Sequence, residues 1–169
     1  MGYDTPEAVL KLARQFMESR ILLTAAELDL FSPLAEKAHT AEQLSGRLGC
    51  DARALTILLD ALTAMGLLEK QGGAYRTSPA AAAFLADTSP RSVLPMILHA
   101  AHLWERWSRL TPIVRGNHPP EHADGSAGDE GALRAFIGAM HVVGMPLAER
   151  IVATVQPGPA RNLLDVGGA

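Results

Sequence analysis

The stretch TAEQLSGRLGCDARALTILLDALTAMGLLEKQGGAYRT, residues 40–77, decides the fold. Thr40 is a helix cap: its hydroxyl can accept from a first-turn N–H, and Ala41 to Leu48 follows with Glu42 and Gln43 in its first turns. Gly49 stops that helix. Asp51 caps a second, whose apolar positions are Leu55, Leu58, Leu59, Leu62 and Met65, and Gly66 ends it. Leu67-Leu68-Glu69-Lys70 can then run as a short strand. Gly72–Gly73 supplies a turn that accepts positive φ, and Ala74-Tyr75-Arg76-Thr77 returns as the partner strand. Helix, turn, helix and hairpin is the outline of a winged helix over about residues 39–79.

Such a module invites a DNA-reading role, which needs cations and amides at the exposed start of its second helix. That helix opens Asp51-Ala52-Arg53-Ala54-Leu55-Thr56. Across residues 40–80, Arg47, Arg53, Lys70 and Arg76 are balanced by Glu42, Asp51, Asp60 and Glu69. A net charge of zero lacks the footprint that phosphate neutralisation requires. Nucleic acid is therefore not expected as a partner, and a structural use of the module is.

Upstream, Thr5 and Pro6 read as an N-cap and first-turn proline. Val9, Leu12, Ala13, Phe16 and Met17 recur at helical spacing and continue through Ile21, Leu22, Ala25, Ala26 and Leu28, while Leu10 and Leu23 lie off that stripe. A helix apolar around much of its circumference needs cover on more than one side. Either this chain or a second subunit can provide it.

Downstream, Pro79 to Ala86 is a short alanine-rich helix, and Val93 to Leu110 a longer one. Residues 116–131, with glycines at 116, 125, 128 and 131, read as an exposed connection. Leu133 to Val155 is helical again, and Pro146 is expected to kink it or to start a new helix. Asn162-Leu163-Leu164-Asp165-Val166 reads as an apolar strand running into Gly167-Gly168-Ala169. A strand ending in consecutive glycines allows a sharp turn and close approach of backbone N–H groups to a ligand. Asp165 can orient such a loop or accept from a ligand amine. An ordinary strand-to-loop turn has the same pattern.

Composition agrees with a packed globular chain: 169 residues, 48% hydrophobic and 20% charged, with alanine and leucine favouring helix. The net charge of −3 gives no electrostatic reason to expect nucleic acid or an anionic membrane. Cys50 is the single cysteine, so an intrachain disulfide is impossible, as suits a reducing cytoplasm. The first 20 residues lack a basic segment followed by an apolar run, and no stretch approaches an uninterrupted spanning helix. The expectation is a soluble, cytoplasmic protein.

The order of these elements resembles the S-adenosylmethionine-dependent O-methyltransferases that include plant caffeate-type enzymes and bacterial tailoring enzymes of antibiotic and pigment pathways. Ala26-Glu27-Leu28-Asp29-Leu30-Phe31 resembles the family's first-helix signature. Thr40 to Leu44, Leu58 to Leu62 and Met65 to Leu68 resemble its winged helix. Leu103-Trp104-Glu105-Arg106-Trp107-Ser108-Arg109-Leu110 resembles the helix leading toward substrate. Phe136-Ile137-Gly138-Ala139-Met140 resembles the helix before the cofactor domain, and Leu164 to Gly168 the first cofactor motif.

The resemblance runs from about Ala8 to Ala169. It implies a mainly α fold: a helical, winged-helix-like dimerisation domain at 1–115, an exposed loop at 116–131 and linking helices at 132–157. Residues 160–169 would be the first strand and glycine loop of a truncated Rossmann-like α/β domain. It implies a homodimer through the N-terminal helices, S-adenosylmethionine as cofactor at Asp165, Gly167 and Gly168, and a small-molecule hydroxyl as methyl acceptor. The family's third glycine is Ala169 here. Its ribose-gripping acidic residue and its catalytic histidine have no counterpart, so no catalytic residue is expected within this chain. The chain thus reads as a piece of a longer enzyme, inactive alone. A stand-alone winged-helix interaction protein, or a relative catalysing another reaction such as hydroxylation, are the alternatives.

By the same resemblance His141 follows Met140 on a helix lining the substrate pocket, and Met140 and Trp104 could touch a flat aromatic or polyketide acceptor. Plain core packing serves equally for both. His99 and His102 share the i, i+3 spacing of metal ligands, but no cysteine or carboxylate supports them, and no metal is expected.

Overall fold

A computed structural model describes residues 3–117, 129–162, 164 and 166. The chain is mainly helical with one small antiparallel sheet. Helix α1 (Pro6–Glu27) starts at Thr5, whose hydroxyl accepts from the Ala8 N–H at 3.2 Å. It is followed by α2 (Phe31–Glu36), β1 (His39–Thr40), α3 (Ala41–Leu48) and α4 (Ala52–Ala64). The hairpin β2 (Leu68–Gln71) and β3 (Ala74–Thr77) leads into α5 (Pro79–Leu85). Then come α6 (Leu94–Ser108), α7 (Leu110–Val114) and α8 (Glu130–Val155).

The caps expected between residues 40 and 66 all form. Thr40 and Gln43 close a reciprocal capping box on α3, and the Asp51 carboxylate accepts from Ala54 at 2.7 Å. Gly72 and Gly73 take φ of 56° and 81°, the conformation a tight hairpin turn demands and an L side chain resists. The sheet order is β1-β3-β2, so the hairpin's second strand is central. Leu30, Phe31, Leu34, Leu44, Leu59, Leu62 and Tyr75 form the fully buried centre. Buried Thr77 donates its hydroxyl to the Phe31 carbonyl at 2.9 Å, which ties β3 to α2 without leaving a polar group unpaired.

The hairpin is fastened to α4 by one carboxylate. Asp60 Oδ1 accepts from Lys70 Nζ at 2.6 Å and from the Tyr75 hydroxyl at 2.8 Å, and the ammonium sits 4.8 Å from the Tyr75 ring centroid. The Lys70 and Tyr75 hydrogen bonds hold the Asp60 carboxyl below its ordinary value, whereas burial pushes the Tyr75 phenol up. The bond to Asp60 likewise raises the Lys70 ammonium.

Several expectations are revised. The long helix expected over Val93–Leu110 breaks at Arg109 into α6 and α7. The last helix starts earlier, at Glu130, because Asp129 accepts from the Gly131 and Ala132 N–H groups. It continues as one helix through Pro146, whose missing N–H leaves a single intrahelical bond unmade. Although no spanning-length helix was expected, α8 is long and apolar enough by length and composition to cross a membrane, with mean hydropathy 1.3 over its best window. Arg134, Glu149 and Arg150 interrupt the run, so a search for an unbroken apolar stretch passes it over. Most of the connection expected at 116–131 lies outside the described residues. The strand expected over 162–166 is absent at its two described apolar positions: Leu164 and Val166 are in no strand and both are 85% exposed. A strand needs a neighbour to bond, and among the described residues the sheet's three strands pair with one another.

Because the folded Asp60 carboxyl is depressed, its contribution is complete above the unfolded value and drains as pH falls through the lowered one. Urea unfolding of the chain and of Asp60→Asn should therefore differ near neutral pH and converge in acid. A gap independent of pH would show that the carboxylate is not the fastening group.

Candidate functional site

Helix α6 has two working faces. One turns toward α1 and the other toward α8, and the α6–α8 seam carries a concavity. Ala135 and Ala139 are buried there, and Gly138 lies against α6 so closely that a Cβ built on it would stand 2.6 Å from the Pro95 Cβ. Small residues at i, i+3 and i+4 let the two backbones approach. Beside this contact a cavity of about 480 Å³ opens, within the range of small-molecule sites. Its walls are Leu94, Pro95, Leu98, Ala135 and the glycines 131 and 138; its polar groups are Asp87, Ser92, His102 and Arg134. A smaller cavity of about 240 Å³ adjoins it, sharing His102 and adding His99, Arg106 and Phe136. The His99 and Phe136 rings meet edge to face, with centroids 5.4 Å apart.

The residues singled out from sequence do not meet in this groove. Trp104 is half-buried on the α1 side of α6, where the Arg20 guanidinium lies 5.5 Å from its ring centroid. Arg20 also donates to Thr24 at 3.0 Å and pairs with Glu27, so Trp104 packs beneath an intrahelical polar network of α1. Met140 is 45% exposed and His141 is exposed as well. Neither is among the residues that line the two cavities. Asp165, Gly167 and Gly168 lie outside the described residues. Among the described residues no cluster of three metal-ligating side chains occurs.

Sequence reasoning passed over Asp87, His102 and Arg134 as a set. His102 was visible through its spacing from His99, and Arg134 as a cation in an apolar helix. What joins them is the pairing of helices that are more than 20 residues apart in the chain, and no local pattern encodes that.

The α6–α8 contact rests on Gly138, and the Pro95 ring opposite is held in the first turn of α6 and cannot swing aside. Gly138→Ala should lower stability by up to about 2 kcal/mol, since overpacking of about 1–3 kcal/mol is offset only in part by the helix-propensity gain of about 1 kcal/mol. Thermal unfolding measures it. A more stable variant would mean that the helices are not in this contact.

Comparison with known proteins gives a consistent result. Residues 10–87 match the O-methyltransferase dimerisation domain. Over 97% of its length the chain is 35% identical to the tetracenomycin polyketide synthesis 8-O-methyl transferase TcmO of Streptomyces glaucescens, of which it covers 50%. It is 30% identical over 96% of its length to the N,N-dimethyltransferase OxyT of Streptomyces rimosus, again covering 50%. Among solved structures, an O-methyltransferase family protein from Burkholderia thailandensis superposes with a TM-score of 0.74 at 30% identity, covering 89% of this chain and 46% of that one. The chain spans about half the length of the curated relatives it matches.

Proposed function

We propose, from the premise that the chain belongs to the S-adenosylmethionine-dependent O-methyltransferases through its dimerisation domain, that it is the dimer-forming and acceptor-covering portion of a small-molecule methyltransferase. The observation that carries this reading is the uneven cover of α1. Its C-terminal end is buried at Leu23, Ala25 and Ala26, whereas Val9, Leu10, Leu12, Phe16 and Met17 are each about half exposed. A second copy of the chain would cover that apolar length. The later part of α8 has the same character, with Val143, Met145, Leu147, Ile151 and Val152 exposed.

Within this reading residues 39–79 are a winged helix used for structure, inside a dimerisation domain spanning 1–115. Residues 132–157 link it to a cofactor domain that opens at 160–169. The acceptor is a natural-product hydroxyl, as the name of TcmO suggests for that relative, and the setting is the cytoplasm. Trp104, Met140 and His141 belong to the acceptor side, and Asp165, Gly167 and Gly168 to the cofactor side. The described residues do not themselves make a cradle for S-adenosylmethionine. The groove walls are apolar, and Leu164 and Val166 stand exposed and unpaired where a strand end would have to present backbone donors. No step of methyl transfer is therefore assigned to them, and residues 1–169 alone are expected to be inactive.

Light scattering on the purified chain should give twice the chain mass, and Phe16→Asp should shift it to the monomer, since burying a carboxylate without a partner is strongly unfavourable. A monomeric parent chain would refute the pairing. Methyl transfer by the 169-residue chain would refute the division of labour.

A further inference from the structure

The contact with a second copy reaches past the helix that suggests it. We infer that the corner where α6 meets α7, built from Trp107, Leu110 and Val114, belongs to that contact, with Trp107 as its anchor. This rests on the proposal that a second copy covers α1. The corner lies outside the matched dimerisation domain, which ends at residue 87.

Three observations carry it. First, Trp107 is 68% exposed, Leu110 49% and Val114 76%, so three large apolar side chains close in sequence stand in water. Trp104, one turn earlier, is half-buried beneath Arg20. An uncovered indole is the kind of side chain that anchors a protein contact, because its broad flat area gains most from cover.

Second, the corner continues the apolar length of α1. The end of α1 and the start of α6 meet the same core, through Ile21 and Leu22 on one and Val93 and Ile97 on the other. Farther out, Arg20 lies against Trp104. The two helices therefore run antiparallel. Trp107, one turn beyond Trp104, comes level with Phe16 and Met17, one turn before Arg20.

Third, α1 offers too little area by itself. At roughly 200 Å² for a large side chain, the half-exposed Val9, Leu10, Leu12, Phe16 and Met17 present about 500 Å². Obligate pairs bury about 1,000 Å² or more per partner, about 65% of it apolar, hence roughly 650 Å². On the same scale the corner adds about 400 Å² and takes the patch past that mark. The exposed part of α8 lies on the other side of α6, so it does not extend the same patch.

The test is sedimentation equilibrium of the 169-residue chain over a range of concentrations, with tryptophan emission followed in parallel. Trp107→Asp should raise the dimer dissociation constant at least about 30-fold, the effect of losing one anchor residue. Trp107→Phe should keep most of the affinity. In Trp104→Phe, where a phenyl face still meets Arg20, Trp107 is the only tryptophan. Its emission should move to shorter wavelength as the concentration rises through the dissociation constant. A dimer whose affinity ignores Trp107→Asp, or whose formation leaves that emission fixed, would overturn the inference and leave the pairing of α1 intact. A parent chain that stays monomeric at every concentration would refute the pairing itself, and the corner's role with it.

Discussion

The helices α1 and α8 carry more apolar surface than one chain can cover, and the rest of the architecture follows from that imbalance. Residues 30–85 have no such excess: short helices and a three-stranded sheet enclose Phe31, Leu34, Leu44, Leu59, Leu62 and Tyr75. The flanking helices reach out from this core. The C-terminal end of α1 is anchored in it, and α6 lies between α1 and α8. Exposed side chains such as Phe16, Met17, Val143 and Ile151 then line surfaces that are unfavourable in water and favourable against protein.

The same arrangement makes the groove. Gly138 against Pro95 sets the spacing of α6 and α8, and the cavity beside that contact inherits an apolar wall from one helix and a bare backbone from the other. Arg134 and Asp87 arrive from different elements and do not neutralise each other. A concave surface thus emerges from a packing constraint, with polar groups added at its edge. On the opposite face of α6, Trp104 under Arg20 joins the groove-bearing helix to α1.

The central part of the fold was legible because its instructions are local. Thr40, Asp51 and the Gly72–Gly73 pair act on neighbours three or fewer residues away, and each forms as read. The two-residue strand β1 was not legible, since His39 and Thr40 become a strand only by pairing with Tyr75 and Ala74. Helix α2 was hidden for a similar reason: six residues with no side-chain cap hold their shape through burial of Phe31 and Leu34. The break at Arg109 ran against local reading, since no stop signal stands there, and α8 passes through Pro146 as one helix where a new helix was one of the two expected outcomes. The candidate groove was the least legible part. Trp104, Met140 and His141 were chosen by resemblance along the chain, whereas Asp87, His102 and Arg134 are joined only in space.

Thermal unfolding at two protein concentrations about a hundred-fold apart probes the imbalance most directly, since association makes the midpoint depend on concentration. If a second copy covers α1 and α8, the midpoint rises with concentration. A midpoint that stays fixed across that range would mean the exposed apolar helices stand alone in water, and the account built on them would be wrong.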